Sequence, residues 1–234
     1  MRINFITLFA GLASIFALTG CDNAIPVAPN GTEAVQSGTE AAAVEGPERV
    51  ILAFGDSLFA GYNLQEDEGY PEQLQAALRA RGINARVIDG AVSGDTTAAG
   101  AQRIGFLLDQ QAQAPDLALV ELGGNDMLRA LSPDQTRANL VAILDELASR
   151  DIPVLLMGMR APPNLGPDFQ EEFDAIYPAL AERYDADLVP FFLEPVYDQQ
   201  SLMLSDRIHP NAEGVAVLVE HTLDEVIAAL PPVT

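Results

Sequence analysis

The stretch Val50-Ile51-Leu52-Ala53-Phe54-Gly55-Asp56-Ser57 decides the architecture of this chain. Five consecutive apolar residues leave no polar alternate face, as expected of a strand covered on both sides rather than one half-exposed to water. The run has the length of a strand, and the Gly-Asp-Ser that follows has the composition of a turn. Further short apolar runs lie at residues 85–88, 117–122, 154–157 and, as a weaker one, 188–191. Between the runs the apolar spacing lengthens to that of helices. Leu74, Ala77 and Leu78 share a face ahead of Gly82, a helix stop; Leu140, Ile143, Leu144 and Leu147 form a second stripe. A third stripe, Val215, Leu218, Val219, Val226, Ile227 and Leu230, is ended by Pro231-Pro232. Buried strands alternating with helices predict an α/β domain with a parallel sheet.

The whole chain has 234 residues, room for one domain of ordinary size with extra segments. All 12 basic residues are arginine, set against 34 acidic ones for a formal charge of −22. Such a field repels phosphate backbones and excludes non-specific nucleic-acid binding. Arg2 precedes a mostly apolar stretch, residues 5–18, that is too short for a comfortable membrane span and reads as a secretory signal. Its end, Leu18-Thr19-Gly20-Cys21, resembles the bacterial lipobox. The reading is therefore a signal peptide over residues 1–20, a lipidated Cys21 that holds the protein at a membrane surface, and an envelope location facing the periplasm. An ordinary secretory leader with an incidental cysteine is the competing reading. Asp22 resembles an inner-membrane retention signal, so either envelope membrane is open. Residues 22–48, rich in Ala, Pro, Gly, Thr and Glu and without an aromatic, complete an acidic tether expected to be disordered. Residues 49–234 then form one domain with 11 arginines and 29 acidic residues, a net −18. The single cysteine forbids an intrachain disulfide or a cysteine metal cluster, and two histidines limit zinc chemistry. No metal is expected.

In parallel α/β sheets the reactive groups lie beyond the carboxyl ends of the strands, so the residues after each run belong together. They are Gly55-Asp56-Ser57-Leu58, Ser93-Gly94-Asp95 and Gly123-Gly124-Asn125-Asp126, joined near the end of the chain by Asp206-Arg207-Ile208-His209. Each alone suits a turn or a helix cap. Together they resemble the SGNH, or GDSL-type, esterase and lipase family, whose four blocks supply Ser, Gly, Asn and His in that order. Ser57, Gly94, Asn125 and His209 occupy the four positions, with Asp206 three residues before the histidine. The blocks from Gly55 to Tyr62, Val92 to Thr97 and Arg160 to Asn164 are similar to those of the bacterial arylesterase, thioesterase and lysophospholipase branch.

The resemblance implies a flavodoxin-like three-layer α/β/α sandwich with a five-stranded parallel sheet. It also implies a cofactor-independent serine hydrolase of small acyl esters or lipid-derived substrates, with no obligate protein partner. Ser57 would attack through an acyl-enzyme, with His209 as its base and Asp206 orienting the imidazole. The Ser57 and Gly94 amides and the Asn125 side chain would form the oxyanion hole. Pro210 disfavours helix at His209 and suits the first turn of the next helix, so Asp206 and His209 are expected on one loop. An envelope carbohydrate O-deacetylase of the same fold is the enzymatic alternative, and a non-catalytic ligand-binding lipoprotein the alternative from another class.

Two positions depart from the family pattern. Asp89 stands where Asn is common in the second block, and Phe59 breaks the Gly-x-Ser-x-Gly elbow of ordinary α/β-hydrolases. Other candidates have blander readings: His221 as a surface residue, Asp56 and Asp126 as turn or capping residues. Met157, Met159, Phe191 and Phe192 read as core more than as an acyl pocket. Asp95, Asp126 and Asp206 form a minority divalent-metal reading.

Overall fold

The computed structural model describes residues 44–233, so the leader, Cys21 and the tether up to residue 43 lie outside the described residues. The fully apolar run becomes β1 (Arg49–Gly55), buried from Val50 onward. It is followed by β2 (Ala85–Asp89), β3 (Leu117–Glu121), β4 (Val154–Met157) and β5 (Asp187–Val189). All pairings are parallel and the sheet order is β2-β1-β3-β4-β5, the flavodoxin-like arrangement. The fifth strand is shorter than the run 188–191 suggests. Pro190 has no N–H to continue the ladder, and Phe192 bonds instead to the Gly158 carbonyl at 2.8 Å.

Helices α1 (Tyr70–Ala80), α2 (Thr97–Asp109), α3 (Gly124–Leu128), α4 (Pro133–Ala148), α5 (Pro167–Asp174), α6 (Ile176–Tyr184) and α7 (Ala212–Ala229) complete the described domain. The pairing of α1 with α7 makes one layer, and that of α2 with α4 and α4 with α6 makes the other. The three-layer α/β/α sandwich is thereby complete. The helix ends follow local chemistry. Gly82, at φ +79°, closes α1: the Ile83 amide donates to the Leu78 carbonyl at 3.1 Å and the Gly82 amide to Arg79 at 2.9 Å. Ser132 and Gln135 form a reciprocal capping box ahead of α4. Asn211 caps α7 by accepting from the Gly214 amide at 2.9 Å. Pro210 therefore stands one residue ahead of the cap rather than in the first turn, because Asn211 supplies the capping oxygen.

Two features bring the strand ends together. The chain runs from β1 out to β2 and then crosses back to β3, so the carboxyl ends of β1 and β3 flank the crevice where the order reverses. The parallel register pairs Gly55 with Glu121, placing the turns after both strands side by side. Asp126 then fixes α3 against α2. Its fully buried carboxylate accepts from the Thr97 amide at 2.8 Å and from the Thr97 hydroxyl. The Thr136 hydroxyl adds a third bond at 3.2 Å, and Asn139 donates to the Thr97 hydroxyl at 3.1 Å. Asp126 is thus a capping residue for a helix other than its own, since Thr97 opens α2. Asp126→Ala leaves several buried donors unpaired and is expected to lower unfolding free energy by about 3 kcal/mol in urea titrations. Thr136→Val, which loses one longer bond, is expected to cost about 1 kcal/mol.

Candidate active site

The turn leaving β1 carries Ser57. Asp56 and Ser57 carbonyls accept from the Ala60 and Tyr62 amides at 3.0 and 3.3 Å, winding the chain tightly past the serine. Phe59 is fully buried here, stacked on Tyr70 with ring centroids 4.5 Å apart and packed edge-on against Phe192. The position that lacks the elbow glycine is therefore a core position.

Asp206 and His209 do share one loop. The Asp206 Oδ1 accepts from the Ile208 amide at 2.9 Å and the His209 amide at 3.1 Å, while Arg207 between them adopts φ +60°. Its other oxygen meets His209 Nδ1 at 2.8 Å. Donation by the Ile208 amide, with His209 adding to it, outweighs partial burial and holds the Asp206 carboxyl down at about 2. The loop is closed by the Leu204 amide on the His209 carbonyl at 2.7 Å and the Asn211 amide on Leu202 at 2.9 Å. His209 Nε2 then lies 2.8 Å from Ser57 Oγ, across 152 residues of sequence. The Tyr62 ring rests 4.4 Å from the imidazole, walling it on one side.

The second block extends from β2 alongside β1. Gly90 and Val92 amides bond to the Ala53 and Gly55 carbonyls at 2.9 and 3.0 Å. Asp89 contributes to this loop directly, accepting from the Ala91 amide at 2.9 Å. Gly94 takes φ +88°, open to glycine at little cost, and its carbonyl accepts from Arg129 at 2.7 Å. Asn125, at the start of α3, donates from Nδ2 to Asp56 Oδ2 at 2.9 Å, which leaves its second amide hydrogen free of Asp56. Among the described residues the Ser57 and Gly94 amides donate to no carbonyl. Ser57, Gly94, Asn125 and His209 all line one cavity of about 750 Å³.

The remaining candidates separate by environment. Met157 and Phe192 are fully buried core, as read from composition. Met159 and Phe191 are buried as well, in keeping with their reading as core, and in addition line the cavity where the chain leaves the sheet at Gly158 and Pro190. His221 is exposed on α7. Asp95 pairs with Arg103 at 2.6 Å, Asp126 lies under α2 and Asp206 holds His209, so the three aspartates have separate partners. Among the described residues no group of three or more His, Cys, Asp or Glu is placed to hold a metal. No helix among them is long and apolar enough to cross a membrane.

Sequence reading missed two residues that shape the site. Arg103 reaches from α2 to Asp95, to the Gly90 carbonyl at 2.6 Å and to the Gly55 carbonyl at 3.1 Å, with its guanidinium 4.2 Å from the Phe54 ring centre. One guanidinium thus staples the first block to the second, and nothing in its local sequence marks it. Glu121 is fully buried at the end of β3. Its signal was present: it is the one charged residue in the run 117–122.

Residues 53–217 match the family model described as GDSL-like Lipase/Acylhydrolase. The chain is 39% identical over 180 residues to an arylesterase of Vibrio mimicus, covering 77% of this chain and 89% of that protein. It is 40% identical over 164 residues to the thioesterase 1/protease 1/lysophospholipase L1 of Escherichia coli K12, covering 70% and 76%. Among solved structures, AlinE4, an SGNH-hydrolase family esterase, shares 63% identity at a TM-score of 0.68, covering 80% of this chain and all of that one. With the fold, the four blocks and these relatives in agreement, the chain belongs to the GDSL-like lipase and acylhydrolase family and is a carboxylic ester hydrolase.

Proposed function

We propose that Ser57, His209 and Asp206 are the catalytic triad of this esterase, a reading carried by the continuous chain of 2.8 Å contacts from Ser57 Oγ through His209 to Asp206. Ser57 Oγ attacks the ester carbonyl as its proton passes to His209 Nε2. The carbonyl electron pair moves onto oxygen, where the Ser57 and Gly94 amides and the Asn125 side chain donate to it. Collapse expels the alcohol or thiol, which takes the proton from His209 and leaves an acyl-serine. Water then repeats the sequence and releases the acid. Asp206 keeps Nδ1 protonated and stabilises the imidazolium. The apolar side of the cavity, Met127, Leu128, Met159, Leu165, Phe191 and Leu193, is suited to an acyl chain or an aryl leaving group. Arylesters, acyl thioesters and lysophospholipids, named for the curated relatives, fit that lining.

The same proposal includes the amino terminus. Cys21 in Leu18-Thr19-Gly20-Cys21 is the lipidated first residue of the mature protein, residues 22–48 are its tether, and the domain faces the periplasm from an envelope membrane. Arg49 opens β1 at the amino edge of the sheet, whereas the cavity lies at the carboxyl edge.

Hydrolysis of p-nitrophenyl esters from acetate to decanoate should vanish in Ser57→Ala, and a serine-directed phosphonate should label Ser57; an unlabelled serine in active protein overturns the triad. Asn125→Ala should lower kcat by about 100- to 1,000-fold with little change in KM. Because Asp206 is depressed to about 2, it stays a carboxylate over the working range and its stabilisation is lost only as pH falls from the ordinary carboxyl value towards 2. The acid limb of log kcat/KM should therefore have unit slope from one group, with no second limb above pH 4, and Asp206→Asn should cost roughly 10³- to 10⁴-fold in kcat. In cells, Cys21→Ser should move the enzyme from the membrane to the soluble fraction, and mass spectrometry of the native amino terminus should find acylated Cys21.

A further inference from the structure

Beneath the oxyanion side of the site lies a buried pair of carboxyl groups that the mechanism above does not use. Glu121 ends β3 with no exposed surface, and Asp56, one residue before the serine, is 1% exposed. The Glu121 Oε2 accepts from the Asp56 amide at 3.3 Å, which sets the two carboxyl groups side by side. Gly55 makes room for this arrangement, since a Cβ there would stand 3.0 Å from Glu121 Oε2 and 2.9 Å from its carbonyl oxygen.

The donors around the pair are unequal. Asp56 receives the Leu58 amide on Oδ1 at 3.1 Å and the Asn125 amide on Oδ2 at 2.9 Å, both of which favour its charged form. Glu121 Oε1 meets no donor at all, the one buried side-chain polar atom among the described residues left without a partner. Two adjacent buried carboxylates are costly, and a single proton between them removes one charge.

We infer that Glu121 is a positioning residue acting as a neutral carboxylic acid, donating its proton in a hydrogen bond to the Asp56 carboxylate so that Asp56 in turn holds the Asn125 amide toward the oxyanion. The inference rests on the reading of Asn125 as an oxyanion donor. Burial pushes the Glu121 carboxyl well above its usual range, and the Asp56 charge adds to the rise, in keeping with the neutral form. The other ionisable groups around the pair are Tyr177 on α6, whose hydroxyl donates to the Leu122 carbonyl at 2.8 Å, Asp126 on α3 and His209 across the site. Arg103 is committed to Asp95 and supplies no bond to Glu121.

The test uses Glu121→Leu, which has no donor, and Glu121→Gln, whose amide donates to Asp56 without ionising. Glu121→Leu should lose at least about tenfold in kcat with KM nearly unchanged, and Glu121→Gln should restore most of it. Combined with Asn125→Ala, Glu121→Leu should add little further loss, because both act through one amide. A Glu121 that merely packs would lower thermal stability and leave kcat and additivity untouched, which overturns the proposal; so would equal kcat losses in the Gln and Leu variants. The sign of the pH effect is fixed. With its folded value raised, Glu121 makes the wild type lose stability as pH climbs above about 4.5, whereas Glu121→Gln has no such proton to lose. The Gln variant should therefore gain melting temperature over the wild type as pH rises from 5 to 8. Should the Leu variant not fold, the infrared difference between wild type and Glu121→Gln at pH 7 decides: a protonated-carboxyl C=O band in the wild type supports the proposal, and its absence overturns it. If Asn125→Ala itself leaves kcat unchanged, the oxyanion reading fails first, and the two failures are distinct.

Discussion

The hydrogen bond from Asn125 Nδ2 to Asp56 Oδ2, 2.9 Å long, joins the turn after β1 to the start of α3, and much of the site depends on it. It exists because β1 and β3 are adjacent and in a register that pairs Gly55 with Glu121, so the two turns emerge together. A slip of one residue would send the side chains after each strand to opposite faces. Two helix-borne groups then hold the turns from outside: Asp126 locks α3 onto the start of α2, and Arg103 binds the first block to the second. The reactive loops are thus held by elements of the sandwich rather than by one another alone.

Charge is distributed to the same end. A domain of net −18 keeps its acidic residues mostly in water, yet three carboxyl groups, Asp56, Glu121 and Asp126, are buried close to the site. Each is tolerated for a different reason. Asp126 has a backbone amide and two hydroxyls, Asp56 has two amide donors, and Glu121 has too few donors to remain charged. Asp206 is the reverse case, a partly exposed carboxylate kept ionised by the amides of its own loop. Four acids in one small region therefore have four environments.

Residues 50–54 and 154–157 announced their strands because an uninterrupted apolar run leaves few other solutions. The loop of Asp206 and His209 was legible for a related reason: residues three apart, ahead of a proline, meet through local geometry alone. The boundary of β5 was blurred, since the apolar pattern runs past Pro190 while the hydrogen-bond ladder does not. Neighbouring residues could not be sorted either. All four of Met157, Met159, Phe191 and Phe192 are buried, and only Met159 and Phe191 also line the cavity, although all four are equally apolar in sequence.

By itself, then, the sequence determined the alternation of strands and helices, the three blocks after strand ends and the pairing of Asp206 with His209 on a late loop, because each is encoded over a few consecutive residues. Only the tertiary structure decided that Ser57 Oγ reaches His209 across 152 residues, that Arg103 staples two blocks, and that Glu121 lies against Asp56 with one oxygen unpaired. Those contacts follow from strand order and register, which bring distant positions together. Local periodicity carries no record of which buried group will face which.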